Sequence, residues 1–156
     1  MATTHTDLMA GLADSEIAEL MRLATPARLA SGETLFHLGD AAEAVYLVER
    51  GQIALTLPVR VAGREEDVLV EERGPGQMVG WSGLIPPHRF TLNAKAPLET
   101  ALLALPRAAL LAYFATRPEV AYTVTRNVAT VVGQRLQVLQ AMWLREVQHL
   151  IELRCA

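Results

Sequence analysis

The pattern of apolar and polar residues divides the chain into three parts. In the first part, the segment ADSEIAELMRLA at 13–24 carries apolar residues on one side of a helical turn pattern, namely Ile17, Leu20, Met21 and Leu23. Asp14 or Ser15 can cap this helix, and Pro26 ends it. The sequence predicts a short helix here, preceded by a flexible tail over residues 1–11.

The middle part, from Arg28 to about Leu105, consists of short apolar runs separated by glycines. Eight of the ten glycines fall in this part, which is typical of a segment with many tight turns. Four runs have the length of strands: AVYLVE at 44–49, QIALTL at 52–57, DVLVE at 67–71 and TALLAL at 100–105. Their spacing predicts a mainly β core, built as a sandwich or barrel.

The last part has a helical pattern. Pro106 stands at the first turn of the segment RAALLAYF, and Pro118 opens a longer segment that reaches nearly to the C-terminus without another proline. At 1.5 Å per residue, the longer segment extends over about 50 Å, which is more than the β core can cover. Part of this helix therefore needs a partner.

An apolar stripe follows the long helix at spacings of four and three residues. The stripe consists of Thr125, Ala129, Val132, Leu136, Leu139, Trp143, Leu150 and Leu153. Glu146 interrupts it between Trp143 and Leu150, and Val147 can continue it there. A helix that lies on its own sheet would account for part of the stripe. Pairing with the same helix of a second copy accounts for the rest, and predicts a homodimer interface containing Val132, Leu136, Leu139, Trp143 and Leu150.

Charge and cysteine content exclude several classes of protein. The net charge of −3 over 156 residues argues against binding to nucleic acid, which normally needs clustered Lys and Arg. The single cysteine, Cys155, cannot form a disulfide or an iron–sulfur cluster within the chain. No signal peptide or membrane span is visible. We therefore expect a soluble, cytoplasmic protein with no membrane contact.

Three motifs resemble the cyclic-nucleotide-binding domain of catabolite-activator-type bacterial regulators and of kinase and channel regulatory domains. They are SGETLFHLGD at 31–40, AVYLVERGQIAL at 44–55 and GQMVGWSGL at 76–84. The resemblance extends from Leu12 to Val138. It implies a double-stranded β-helix, or jelly-roll-like β-roll, at 12–117 with short flanking helices, followed by a long dimerisation helix at 118–156.

The third motif is similar to the entry of the family's phosphate-binding cassette, where a Gly-Glu-x-(Ala/Gly)-Leu turn opens a short helix. Gly80, Gly83 and Leu84 match this turn, and Ser82 lies within it, but Trp81 occupies the Glu position. An indole cannot accept a hydrogen bond from a ribose hydroxyl. Losing a charge-assisted hydrogen bond of about 1.5–3 kcal/mol weakens affinity roughly 10- to 150-fold. The resemblance therefore implies weak, altered or lost binding of cyclic AMP or cyclic GMP, with another anionic nucleotide as an alternative ligand, or a pocket plugged by Trp81.

The family loop then returns through an Arg followed by a small residue, and this sequence leaves two alternatives for that Arg. Counting forward from Gly80 or backward from Ala94 places either Arg89 or His88 at the Arg position. If Arg89 is the anion contact, the small hydroxyl residue Thr91 lies two residues after it. The prolines of the loop, Pro86-Pro87, cannot donate backbone hydrogen bonds. On the long helix, the resemblance carries the base-contacting positions onto Leu139 and Gln140.

Three other functions are a metalloenzyme, a haem-dependent sensor and a ligand-free adaptor. A cupin-type metal site needs converging histidines, whereas His5, His37, His88 and His149 are widely scattered, so we expect no metal site and no enzyme. A haem-dependent gas sensor is an alternative, with His37, His88, Met142 or Cys155 as axial ligand. A ligand-free dimeric adaptor is another.

The C-terminal residues affect the expected binding partner, which is DNA or another protein. Regulators of the resembling group carry a helix-turn-helix domain after the dimerising helix, and the residues beyond Gln148 leave no room for one. We expect a regulatory domain that does not bind DNA directly and that signals through its long helix to a separate protein partner, which the sequence does not identify.

Overall fold

The computed structural model describes residues 6–156. These described residues form eight strands: β1 Thr25–Leu29, β2 Thr34–Phe36, β3 Ala44–Arg50, β4 Ile53–Val61, β5 Arg64–Arg73, β6 Met78–Val79, β7 Asn93–Lys95 and β8 Thr100–Pro106. The helices are α1 Asp14–Met21, α2 Arg107–Thr116 and α3 Pro118–Cys155, with a 3₁₀ helix at Trp81–Gly83. The prediction of a mainly β core with flanking helices is confirmed.

The strands form two antiparallel four-stranded sheets, with the orders β1-β8-β3-β6 and β2-β7-β4-β5. The first sheet is buried on both faces because its strands alternate between two apolar clusters. Val48 and Leu102 join the cluster shared with the second sheet, whereas Leu47 and Leu103 join the cluster formed with the helices. The core therefore has one apolar layer between the two sheets and another between the first sheet and the helices, and α3 also reaches the inter-sheet layer through Val138 and Met142.

The hairpin of β4 and β5 extends beyond the predicted runs. Ala62 and Gly63 have positive φ angles of 51° and 78°, and a two-residue turn with this backbone allows both strands to stay paired to their ends. The sequence did not predict these strand ends because Pro58 and the charged segment 64–67 interrupt the apolar pattern. At the N-terminal side, α1 ends at Met21 rather than Ala24, and β1 begins at Thr25 and includes Pro26.

Residues 6–11 pack against the domain, which differs from the flexible tail that the sequence predicts for 1–11. Leu8 and Met9 are 1% and 2% exposed. The Asn127 side chain on α3 donates hydrogen bonds of 2.8 Å to the carbonyls of Leu8 and Ala10. This segment is too short to show an apolar period, so the sequence gives no signal of its packing. Residues 1–5, with His5, lie outside the described residues.

The long helix α3 is present as predicted and has 38 residues, or about 57 Å at 1.5 Å per residue. Its first half packs on the domain through a row of buried residues, Val120, Val124, Val128, Val131 and Arg135. Beyond Arg135 the helix contains no buried residue. Among the described residues, none of the helices is both long enough and apolar enough to cross a bilayer.

Candidate ligand-binding site

The candidate site begins where β6 turns into the 3₁₀ helix. Gly80 has a left-handed backbone with φ 80°, and a Cβ there would lie 3.0 Å from the Phe90 ring, so a glycine suits both the conformation and the space. The turn closes on itself, since the Gly83 and Leu84 amides donate to the carbonyls of Gly80 and Trp81, each at 3.0 Å. Ser82 and Gly83 are buried.

Gly83 allows the turn to lie against strand β3. A Cβ at this position would lie 2.8 Å from the Ala44 carbonyl oxygen and 2.8 Å from a Val45 methyl group. We expect Gly83→Ala to lower the free energy of unfolding by about 1–3 kcal/mol, because backbone must move to admit the methyl group. Urea unfolding measures this loss.

The matched control for that substitution is Gly133→Ala on α3. Apart from the neighbouring backbone of α3 itself, no atom lies within 4 Å of a Cβ there, and alanine is a better helix former than glycine by about 0.8–1 kcal/mol. Gly133→Ala should therefore raise the unfolding free energy. A Gly83→Ala variant as stable as the wild type would show that the turn and β3 are not held in close contact.

The cavity next to this turn is almost filled. It measures about 10 Å³, near the lower limit for a single water molecule. The Phe36 and Phe90 rings stack across it with centroids 3.5 Å apart and planes 5° from parallel. Its other lining residues are Leu55, Met78, Gly80, Trp81, Ser82, Thr91, Leu92 and Arg135. The space beside the predicted cassette is too small for a phosphate group in this conformation.

The two candidates for the anion-contacting position lie outside this cavity. Arg89 is exposed, and its Nη1 donates to the Gly39 carbonyl at 2.9 Å. His88 is half-buried, has φ 56°, and places Nδ1 3.0 Å from the Ser82 carbonyl oxygen. Thr91 does line the cavity. Gly80, Trp81, Ser82 and Thr91 therefore line the cavity together, whereas neither basic side chain lines it.

A buried network of ion pairs lies beside the cavity, and sequence reasoning missed it. Arg135 of α3 pairs with Glu71 of β5, and the other carboxylate oxygen of Glu71 lies 2.9 Å from Nη1 of Arg73. Arg73 also pairs with Asp7 and donates from Nε to the Met78 carbonyl at 3.1 Å. The Arg73 and Arg135 side chains are 4% and 9% exposed. One signal was available: Arg135 continues the row of buried valines along α3.

The charges of this network balance. Two guanidinium groups face two carboxylates, those of Asp7 and Glu71. Burial raises the pKa of the Asp7 carboxyl, while the positive charge of Arg73 and the Met78 amide act in the opposite direction. Because each buried Arg already has a carboxylate partner, the network offers no surplus positive charge to a ligand.

A larger cavity of about 310 Å³ lies between β4, the 3₁₀ helix and α3. Trp81, Thr91, Leu92 and Arg135 line both cavities. The remaining residues of the larger cavity are Leu57, Val132, Leu136 and Leu139. Of the two helix positions that the resemblance assigned to base contact, Leu139 therefore lies at this cavity. Gln140 is exposed and does not line it.

The residues considered as metal or haem ligands lie apart from both cavities. The His37 and Asp40 side chains are 69% and 56% exposed, Cys155 is exposed, and Met142 packs against the inter-sheet cluster. Neither these residues nor His88 lines the small or the large cavity. Within residues 6–156, no group of three or more His, Cys, Asp or Glu is arranged to hold a metal ion.

The sequence matches a known domain family. The model of the cyclic nucleotide-binding domain matches residues 26–117, which covers more than half of the chain. The chain belongs to the cyclic nucleotide-binding domain family, a family of regulatory domains, and the resemblance that the motifs carry is confirmed.

Individual relatives agree with this assignment. The chain is 30% identical over 130 residues to the cyclic AMP receptor protein of Thermus thermophilus, covering 83% of this chain and 57% of that protein. It is 26% identical over 129 residues to glutaminase 2 of Bradyrhizobium diazoefficiens, covering 83% of this chain but 19% of that enzyme. The chain thus corresponds to only part of each of these relatives.

A solved structure shows the same fold. The N-terminal domain of a transcriptional regulator from Streptomyces coelicolor superposes with a TM-score of 0.71 at 30% identity, covering 88% of this chain and 95% of that one. The likeness therefore extends over most of both chains.

Proposed function

We propose that this chain is a non-catalytic regulatory domain that binds cyclic AMP and cyclic GMP weakly or not at all, and that signals through α3 as a homodimer to a separate protein partner. The observation that carries the proposal is the closed and charge-balanced environment next to Trp81. The family match supports a regulatory role, and the exposed second half of α3 supports dimerisation.

Anion recognition is weak in this site for two physical reasons. A cyclic phosphate needs a positively charged partner, but Arg135 is held by Glu71, and the Arg89 guanidinium lies at the surface beside the Gly39 carbonyl. Moving Arg135 onto a ligand would leave Glu71 with a single remaining partner in a buried setting, which costs free energy. Trp81 also replaces the carboxylate that would accept from a ribose hydroxyl.

Dimerisation explains the surface of α3. Leu136, Trp143, Leu150 and Leu153 are 57%, 65%, 58% and 61% exposed, although they continue the apolar stripe of the helix. A single copy leaves this stripe in water, whereas two helices packed along it bury both stripes. A change at the cavity then reaches the dimer directly, because Leu136 and Leu139 belong to both.

The ligand-free dimeric adaptor is the second candidate function. It is favoured by the size of the small cavity, about 10 Å³, with Trp81 as the side chain that plugs it. A haem-dependent sensor has no comparable support, because none of the four side chains considered as axial ligands lines either cavity.

Thermal unfolding with nucleotides tests the sensor proposal. A ligand at 100 times its dissociation constant stabilises a protein by about 2.7 kcal/mol, which raises Tm by roughly 5–10 °C for a chain of this size. We expect 1 mM cyclic AMP or cyclic GMP to raise Tm by less than about 1 °C, in the wild type and in Arg89→Ala alike. A shift of several degrees in the wild type would contradict weak nucleotide binding, and its loss in Arg89→Ala would assign the phosphate contact to Arg89.

A further inference from the structure

We propose that the larger cavity between β4, the 3₁₀ helix and α3 binds a small uncharged apolar molecule, of aromatic or acyl type, in place of a nucleotide. This inference rests on the proposed regulatory function and names the class of ligand that the domain would sense.

The size and walls of the cavity suit such a ligand. Its volume of about 310 Å³ lies at the lower end of the range of roughly 300–1,000 Å³ for small-molecule sites, which are mostly apolar with a few polar groups. Six of the eight lining residues are apolar: Leu57, Trp81, Leu92, Val132, Leu136 and Leu139. The indole of Trp81 supplies a flat surface against which an aromatic ring or an acyl chain can pack.

The polar groups of the cavity disfavour a charged ligand. Arg135 is the one charged lining residue, and Glu71 already neutralises it. A carboxylate or phosphate entering the cavity would have to compete with Glu71, whereas an uncharged ligand leaves the pair intact. The Thr91 hydroxyl can donate or accept one hydrogen bond and so orient a ligand that carries a single hydroxyl or carbonyl group.

Incomplete burial of the cavity walls provides the driving force. The incompletely buried wall residues are Leu57, Leu136 and Leu139; Leu57 lies on β4, outside the proposed dimer stripe, and is 36% exposed, so a ligand that covers it removes apolar surface from water. Two of these residues lie on α3, within its apolar stripe. Occupation of the cavity would therefore change the packing of the same helix face that pairs with a second copy.

The test uses the full chain and the neutral fluorophore N-phenyl-1-naphthylamine. The chain has two tryptophans, so Trp143→Phe leaves Trp81 as the single donor for energy transfer to the dye; since Trp143 belongs to the proposed dimer stripe, light scattering is used to select conditions in which this parent protein has the same mass as the wild type. We expect saturable transfer from Trp81 with one dye bound per chain. Filling the cavity by Val132→Phe, or its mouth by Thr91→Phe, should weaken dye binding at least tenfold.

Val61→Phe is the matched control. Val61 lies at the end of the hairpin, is 58% exposed and does not line the cavity, so this variant should bind the dye like the parent protein. Circular dichroism and Tm confirm that each variant is folded. Absence of saturable transfer in the parent protein, or equal dye affinity in folded Val132→Phe and Thr91→Phe, would overturn the inference.

Displacement of the dye tests the class of ligand. We expect 1-decanol to displace it at a concentration at least tenfold lower than decanoate, and 1 mM cyclic AMP not to displace it. Equal potency of decanol and decanoate, or displacement by cyclic AMP, would overturn the assignment of an uncharged ligand. If no dye binds but light scattering still shows a dimer, this inference fails while the proposed dimeric regulatory role stands.

Discussion

Arg73→Met lowers the free energy of unfolding by about 3–5 kcal/mol, the usual cost of removing one partner from a buried ion pair. The guanidinium of Arg73 is 4% exposed and contacts Asp7, Glu71 and the Met78 carbonyl. Without it, Asp7 loses its positive partner and Glu71 retains only Arg135. For a domain of this size, we expect Tm to fall on the order of 10 °C.

Arg50→Met is the matched control for this experiment. Arg50 pairs with Glu99 at 3.2 Å, but the two side chains are 67% and 69% exposed, and solvent-exposed pairs contribute about 0–1 kcal/mol. Urea unfolding of both variants, with the midpoint and slope compared, separates a buried network from a surface pair. If the two variants lose stability to the same small extent, the network does not hold residues 6–11 and α3 onto the β core.

The ion-pair network also explains why the N-terminal segment 6–11, which has no apolar period, packs against the domain. Asp7 accepts a hydrogen bond from the Met78 amide at 2.8 Å, directly before the turn that forms the candidate site. Through Arg73, Glu71 and Arg135, this short segment is connected to the middle of α3. The candidate site is thus connected to the N-terminal segment and to α3 by charged contacts as well as by apolar packing.

The elements with a strong local pattern were predictable from the sequence. The strands β3 and β8 and the long helix α3 each carry a regular apolar period, and the structure places them close to the predicted bounds. The ends of β4 and β5 were not predictable in this way, because they project into solvent, where packing does not select apolar residues. The turn at Ala62 and Gly63, rather than burial, determines where this hairpin ends.

The candidate site was located by its glycines, but its chemistry was not predictable. Gly80 and Gly83 identify the turn because the backbone there comes close to other groups. The partner of Arg135, by contrast, lies 64 residues away along the chain, and no local pattern reports such a pairing. The choice between His88 and Arg89 depended on a one-residue offset in a loop, where sequence spacing alone is a poor guide to side-chain direction.

The second large predicted effect is on dimer affinity, and it concerns the exposed apolar stripe of α3. We expect Leu136→Glu to weaken the dimer at least about 100-fold, because two leucine side chains are lost from the interface, each contributing about 1.5–3 kcal/mol when buried. Two carboxylates would also be brought together in an apolar contact. Light scattering over a range of concentrations should show a dimeric mass for the wild type and a monomeric mass for the variant.

Leu144→Glu is the matched control, since it makes the same substitution on the same helix at nearly the same exposure. Leu136 and Leu144 are 57% and 59% exposed, but Leu144 lies roughly 80° around the helix from Leu136 at 100° per residue, and thus beside the stripe rather than within it. Leu144→Glu should remain dimeric. A monomeric wild type, or a Leu136→Glu variant that stays dimeric, would contradict dimerisation through this stripe; loss of the dimer in both variants would instead indicate a wider contact that includes the neighbouring face of α3.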